Sequence, residues 1–218
     1  MTMFAGRTAL VTGGTKGIGR AIARGLLDAG FHVAFSARSP KEVASTEEEL
    51  TSVGSGRVLG VPSDVRDPEA CSRLVERVEE AFGGLDVLVN NAGVGRFAPV
   101  QEMSLEDWNV QIETNLSGVF FLSRAAIPLL KRSADAWIFN IGSLAGRNTF
   151  SGGAAYNASK FGLVGMSEAM MLDLRYEGIR VSLIMPGSVA TGFGRSRAEE
   201  KEGWALTSDD VSRAVMDL

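Results

Sequence analysis

Cysteine and histidine are nearly missing from this sequence: Cys71 and His32 are the only ones in 218 residues. One thiol rules out an intrachain disulfide and makes a reducing compartment, the cytoplasm, the simplest location. One of each rules out a Cys/His zinc centre, and no metal is expected. No apolar run reaches the roughly 18 residues that a membrane span needs. The opening stretch, MTMFAGRTALVTGG, lacks the layout of a secretory signal. No basic run extends beyond Arg195 to Arg197, and Glu199 and Glu200 follow at once. With a net charge of −4 and a pI of about 5.2, neither nucleic acid nor a membrane is the expected partner.

What is present describes a soluble globular chain: 45% hydrophobic and 22% charged residues, enough for a sizeable core in one domain spanning residues 1–218. Short β-branched runs alternate with helical patterns. Strands are expected at 7–13, 32–37, 56–64, 85–91, 136–143 and 180–187. Helices are expected at 17–29, from Pro40 to Val53, from Pro68 to Phe82, from Ser104 to about Lys131, at 154–176, and from Thr207 to Leu218. Ser39-Pro40 and Asp67-Pro68 place a capping side chain before a proline at the first helical position. Cys71 falls in one of these helices and reads as structural. Most strands are apolar throughout, as in a sheet covered on both faces. The fold class is α/β: a doubly wound, mostly parallel Rossmann-type sheet with helices on both faces. The one long irregular stretch, 187–206, is a candidate substrate loop.

The first strand runs into Thr12-Gly13-Gly14-Thr15-Lys16-Gly17-Ile18-Gly19, where a helix begins. Glycines let the backbone turn tightly and approach a pyrophosphate, and the helix N-terminus offers free N–H groups. A purely structural turn is the other reading. The ending is not Gly-Lys-Ser/Thr, so this is not a Walker A loop.

Here the sequence resembles the short-chain dehydrogenase/reductase family, whose cofactor motif T-G-x3-G-x-G it matches at 12–19. Asn90-Asn91-Ala92-Gly93 matches the family's N-N-A-G. Asn115 stands mid-helix, Ser143 ends the fifth strand, and Tyr156 and Lys160 form Y-x3-K. Pro186-Gly187, Val189 and Thr191 match P-G-x-V-x-T. The resemblance covers nearly the whole chain in register. It implies an oxidoreductase interconverting a carbonyl and an alcohol. Gly13, Thr15, Lys16, Gly17, Ile18, Gly19, Tyr156, Lys160, Pro186, Gly187, Val189 and Thr191 would bind the cofactor. Asp64 and Val65 would lie against adenine, and Asn91, Ala92 and Gly93 beside the adenosine ribose.

The end of the second strand reads the 2′ position of that ribose. An acid there selects a hydroxyl and an arginine accommodates a phosphate. Ser36-Ala37-Arg38-Ser39 offers no acid, and Lys16 adds a second cation. NADP(H) is therefore the expected cofactor; a solvated Arg38 is the alternative.

Carbonyl reduction needs a proton donor at the oxygen. Tyr156 and Lys160, four residues apart on a helix, share a face, and a nearby ammonium favours phenolate. Ser143 is placed to hydrogen-bond the substrate oxygen. By resemblance, Lys160 also holds the nicotinamide ribose, and Asn115 helps hold a water linking Lys160 to solvent. Each residue alone also fits a structural reading.

A serine hydrolase is excluded: GSLAG puts its serine second, and His32 starts its strand rather than ending it. An NADP(H)-binding sensor without catalysis is the rival kept open. An extended-branch epimerase would carry a G-x2-G-x2-G turn, which is not present. Phe97, Leu144, Phe150, Phe193 and Trp204 are candidate pocket walls, suggesting an apolar carbonyl substrate. Arg96 and Arg147 are candidates for greeting a carboxylate or acyl-carrier phosphate. The helix at 154–176 is apolar on more than one face, so a homodimer or homotetramer is expected. The family continues past its last helix into a seventh strand, whereas this chain stops at Met216-Asp217-Leu218; a missing tail and a short variant are both open.

Overall fold

Six parallel strands lie in the order β3-β2-β1-β4-β5-β6. They are β1 (Thr8–Thr12), β2 (His32–Ala37), β3 (Val58–Pro62), β4 (Val87–Asn90), β5 (Ala136–Ile141) and β6 (Ile179–Ile184). The helices between and after them are α1 (Gly17–Asp28), α2 (Pro40–Val53), α3 (Pro68–Phe82), α4 (Leu105–Ile112), α5 (Gly118–Leu130), α6 (Ala154–Leu174) and α7 (Ser208–Met216). The coordinates are a computed structural model that describes residues 4–53, 56–193 and 203–217.

The strand period of two sorts the core into two layers. Ala9 and Val11 of β1, with Val87 and Val89 of β4, face Ile22, Leu26 and Leu27 of α1, Val43 and Leu50 of α2, and Val215 of α7. The intervening Leu10 and Leu88, with Ile138 of β5, face Leu74 and Val78 of α3, Leu122 and Leu129 of α5, and Leu174 of α6. All five residues of β1 are buried, which explains why its sequence is apolar without alternation.

Helix starts follow their caps. The Asp67 side chain accepts from the Glu69 N–H ahead of Pro68, Ser104 from Asp107, and Thr207 forms a reciprocal capping box with Asp210. The helix expected from Ser104 to Lys131 is not continuous α-helix: Glu113–Ser117 form a π turn between α4 and α5. Cys71 is buried in α3, where desolvation pushes its thiol up to about 11; the structural reading stands.

The strand order reverses between β1 and β4, opening a crevice at the C-terminal ends of these strands. His32 lies at the opposite end of the sheet, its Nδ1 accepting from the Arg57 N–H at 3.1 Å.

Candidate active site

At the crevice, β1 and β4 are bracketed by side chains. Thr12 Oγ1 accepts from the N–H groups of Asn91 and Ala92 at 3.0 and 2.9 Å. Asn91 Nδ2 donates to the Thr12 carbonyl at 2.8 Å and to that of Gly13 at 3.3 Å. The Asn91 side chain thus holds the glycine turn. Gly13 and Gly17 take φ of 66° and 53°, the left-handed region that favours glycine. Thr15 and Gly19 are buried, Ile18 packs on the core and Lys16 is exposed. Lys16 caps α1 without a side-chain hydrogen bond, so no side chain occupies the helix's first N–H donors.

The segment after β6 crosses to this turn. Pro186 O accepts from Leu144 N–H at 3.0 Å, and a β-carbon on Gly187 would touch Leu144 at 3.4 Å. Val189 is buried and bridges to Leu206. Thr191 packs against Gly17, its γ-methyl 3.4 Å from where a β-carbon would stand. Residues 194–202 of the expected substrate loop lie outside the described residues.

At the end of β2, Arg38 is exposed, and neither it nor Lys16 forms an ion pair among the described residues. The Ser36 hydroxyl, two residues away, is buried without a hydrogen-bond partner. Free helix N–H donors, two unpaired cations and an unsatisfied hydroxyl fit the phosphates and ribose of the expected dinucleotide. Asp64 is held by Arg66, whose Nε donates at 3.1 and 3.0 Å to its two carboxylate oxygens and whose Nη2 donates at 2.6 Å. These bonds keep the carboxyl below its ordinary range, with Arg38 near enough to contribute. The sequence reading did not single out Arg66; an arginine two residues after a turn aspartate was its only signal. Val65 turns its side chain into the core, packed against Gly118 where α5 begins.

Ser143, Tyr156 and Lys160 come together where β5 ends and α6 begins. Lys160 is 5% exposed, and its Nζ donates to the Ile141 carbonyl at 2.8 Å. Burial lowers its pKa from 10.5 to about 8. The same Nζ lies 5.9 Å from the centre of the Tyr156 ring. The sequence suggests that the lysine lowers the pKa of Tyr156. In the protein alone the direction is the reverse: burial raises it, and the nearby Ser143 hydroxyl opposes. Ser143 also caps the turn Leu144–Gly146, its Oγ accepting from Ala145 N–H at 3.1 Å.

Asn115 sits inside the π turn. Its Oδ1 accepts from Val94 N–H at 2.8 Å, and its Nδ2 donates to Val94 O at 2.9 Å and Ser159 Oγ at 3.1 Å. Ser159 Oγ in turn donates to the Tyr156 carbonyl at 2.8 Å. Gly93 lies against Asn115, a β-carbon there being 3.3 Å from Oδ1. Ser159 and Asn157 were not singled out from the sequence. Asn157 Nδ2 donates to Ala145 O at 2.7 Å and Asn148 O at 3.0 Å, fastening the loop after Ser143 to α6. Their signal lay within YNASK, as polar residues at buried helical positions. Of the candidate walls, Phe97, Phe150 and Phe193 contact the Tyr156 ring, while Leu144 and Trp204 are exposed. Arg96 faces Asp107 at 3.7 Å, and Arg147 is exposed.

Comparison with known proteins bears on the family and the fold. The profile of the family described as short chain dehydrogenase matches residues 7–202. The 3-oxoacyl-[acyl-carrier-protein] reductase FabG of Escherichia coli (strain K12) is 36% identical over 210 residues, 96% of this chain and 84% of that protein. The D-beta-hydroxybutyrate dehydrogenase of Rhizobium meliloti (strain 1021) is 37% identical over 212 residues, 96% of this chain and 82% of that protein. A metagenomic short-chain oxidoreductase (SDR) solved in complex with NADP superimposes with a TM-score of 0.85 at 36% identity, covering 98% of this chain and 90% of that one. Matched along nearly its whole length in sequence and in fold, this chain belongs to the short-chain dehydrogenase family.

Proposed function

We propose that the protein is an NADP(H)-dependent oxidoreductase that reduces a ketone or aldehyde to an alcohol, or runs the reverse reaction. The observation that carries this is the convergence of Ser143, the half-buried Tyr156 and the buried Lys160, one helical turn from Tyr156, at the end of β5 and the start of α6. When bound, the cofactor supplies the hydride to the carbonyl carbon. Tyr156 donates the proton to the carbonyl oxygen, and the burial that keeps the phenol protonated suits that direction. Ser143 hydrogen-bonds the same oxygen as charge develops on it. Lys160 orients the nicotinamide ribose, and Asn115 keeps α6 in register through Ser159.

Gly13, Thr15, Lys16, Gly17, Ile18 and Gly19 would hold the pyrophosphate, and Arg38 with Lys16 the 2′-phosphate. Asp64, the backbone of Val65, Asn91, Ala92 and Gly93 would surround the adenosine, and Pro186, Gly187, Val189 and Thr191 would complete the cofactor site. The relative solved with NADP supports the cofactor choice. Exposed Phe120, Phe161 and Leu172 on α5 and α6 support a homo-oligomer. No helix of the described residues is long and apolar enough to cross a membrane, and the free Cys71 supports a cytoplasmic location. An NADPH-oxidation screen across carbonyl classes tests the reading, with turnover of at least one class expected. Tight NADPH binding without turnover of any class contradicts it.

A further inference from the structure

Tyr156 is ringed by phenylalanines from three separate segments. Phe97 comes from the loop after β4, Phe150 from the loop between β5 and α6, and Phe193 from the segment after β6. Their ring centres lie 5.6, 6.5 and 5.7 Å from that of Tyr156, and Phe97 meets Phe150 edge-on at 5.6 Å. Gly95 leaves room for the approach: a β-carbon there would come within 2.8 Å of both Phe97 and Phe193.

Core packing does not account for these rings, because core rings are covered. Phe150 is 46% exposed and Phe193 37% exposed. Large apolar side chains left open around a candidate proton donor form a receptor surface. The charges nearby agree. Arg96 is paired with Asp107, and Arg147 is exposed on the turn after Ser143. Among the described residues, the only cation over the ring cluster is Lys160, on the Tyr156 ring, and its Nζ is engaged by Ile141.

We propose, resting on the carbonyl-reduction reading above, that the substrate carbonyl carries an aryl or comparably flat apolar group, held among Phe97, Phe150 and Phe193. Ring edges and faces attract one another through their quadrupoles. A carboxylate in the same place loses its water, and among the described residues the one cation over these rings, Lys160, is already engaged by Ile141. Keto acids are therefore poor substrates.

The test compares kcat/KM for acetophenone, 2-butanone, acetoacetate and acetoacetyl-coenzyme A, with NADPH, in the unaltered protein and in Phe150→Ala, Phe150→Leu and Phe193→Ala. Acetophenone is expected to exceed acetoacetate and the thioester by about tenfold or more. Phe150→Ala and Phe193→Ala each lower acetophenone turnover roughly fivefold to tenfold and 2-butanone less than about twofold, with Phe150→Leu in between. Acetoacetate or the thioester used as well as acetophenone overturns the proposal. So does an equal loss on every substrate in the phenylalanine variants. Absence of turnover with all four carbonyls overturns the carbonyl-reduction reading itself and the proposal with it, a result distinct from turnover with the wrong preference.

Discussion

The ammonium of Lys160 donates to the carbonyl oxygen of Ile141 across 2.8 Å, joining the second turn of α6 to the last residue of β5. With the Asn140–Ser167 and Asn157–Ala145 hydrogen bonds, this contact holds α6 against the end of β5, where Ser143 and Tyr156 lie. Holding a lysine 5% exposed is costly, and one carbonyl does not replace its hydration.

That cost has a pH signature. The lysine's folded-state pKa, about 8, lies below its ordinary 10.5. Below pH 8 the ammonium is charged folded and unfolded, so the burial penalty is fully present. Between about 8 and 10.5 the unfolded chain binds the extra proton, so stability gained from this residue rises with pH. Lys160→Met is expected to unfold at a higher temperature than the unaltered protein at pH 7, with the gap narrowing toward pH 10, while turnover is lost. Thermal unfolding of both proteins across that range checks it; a gap independent of pH contradicts the assignment.

Arg38 is exposed and unpaired at the end of β2, so its removal should leave stability within a few tenths of a kcal/mol. A charge-assisted bond to a 2′-phosphate contributes about 1.5–3 kcal/mol. Arg38→Ala is thus expected to weaken NADPH binding about 10- to 100-fold and NADH binding hardly at all, measured by titration of both cofactors. Equal losses for both remove the 2′-phosphate role.

Asn157→Ala deprives the buried carbonyl of Ala145, and the partly buried one of Asn148, of their donor. A loss of about 1–3 kcal/mol in urea unfolding is expected. Turnover should fall as well, because the same bonds position the loop beside Ser143. A variant with unchanged stability shows that the loop finds other donors.

Phe161 and Leu172 leave large apolar surface exposed on α6. Charging them, as in Phe161→Glu with Leu172→Glu, is expected to convert an oligomer to monomer in light scattering with the fold intact by circular dichroism. A monomer mass already in the unaltered protein contradicts the oligomer.

Much of the fold is legible because its determinants are local. Short apolar runs, buried on both faces, mark the strands, and Asp67, Ser104 and Thr207 cap the helices that their sequences announce. The catalytic candidates are legible through spacing. What was hidden depends on partners distant in sequence. The π turn at Glu113–Ser117 accompanies ties from Asn115 to Val94 and Ser159, on segments 21 and 44 residues away. No apolar periodicity within the helix reports them. Arg66 escaped because its hold on Asp64 is a matter of side-chain direction. The direction of the Tyr156 shift in the protein alone is hidden for a related reason. Spacing reveals that a lysine shares the tyrosine's face but not how deeply the phenol is buried.

The most direct measurement is the turnover of Tyr156→Phe, paired with an NADPH titration of the same protein. Removing one hydroxyl from a positioned general acid is expected to lower kcat by about 10²–10⁴-fold. NADPH affinity should stay within about twofold, since the phenol is not among the phosphate-binding groups. Turnover within a few fold of the unaltered enzyme contradicts the role given to Tyr156, whatever the cofactor titration reads.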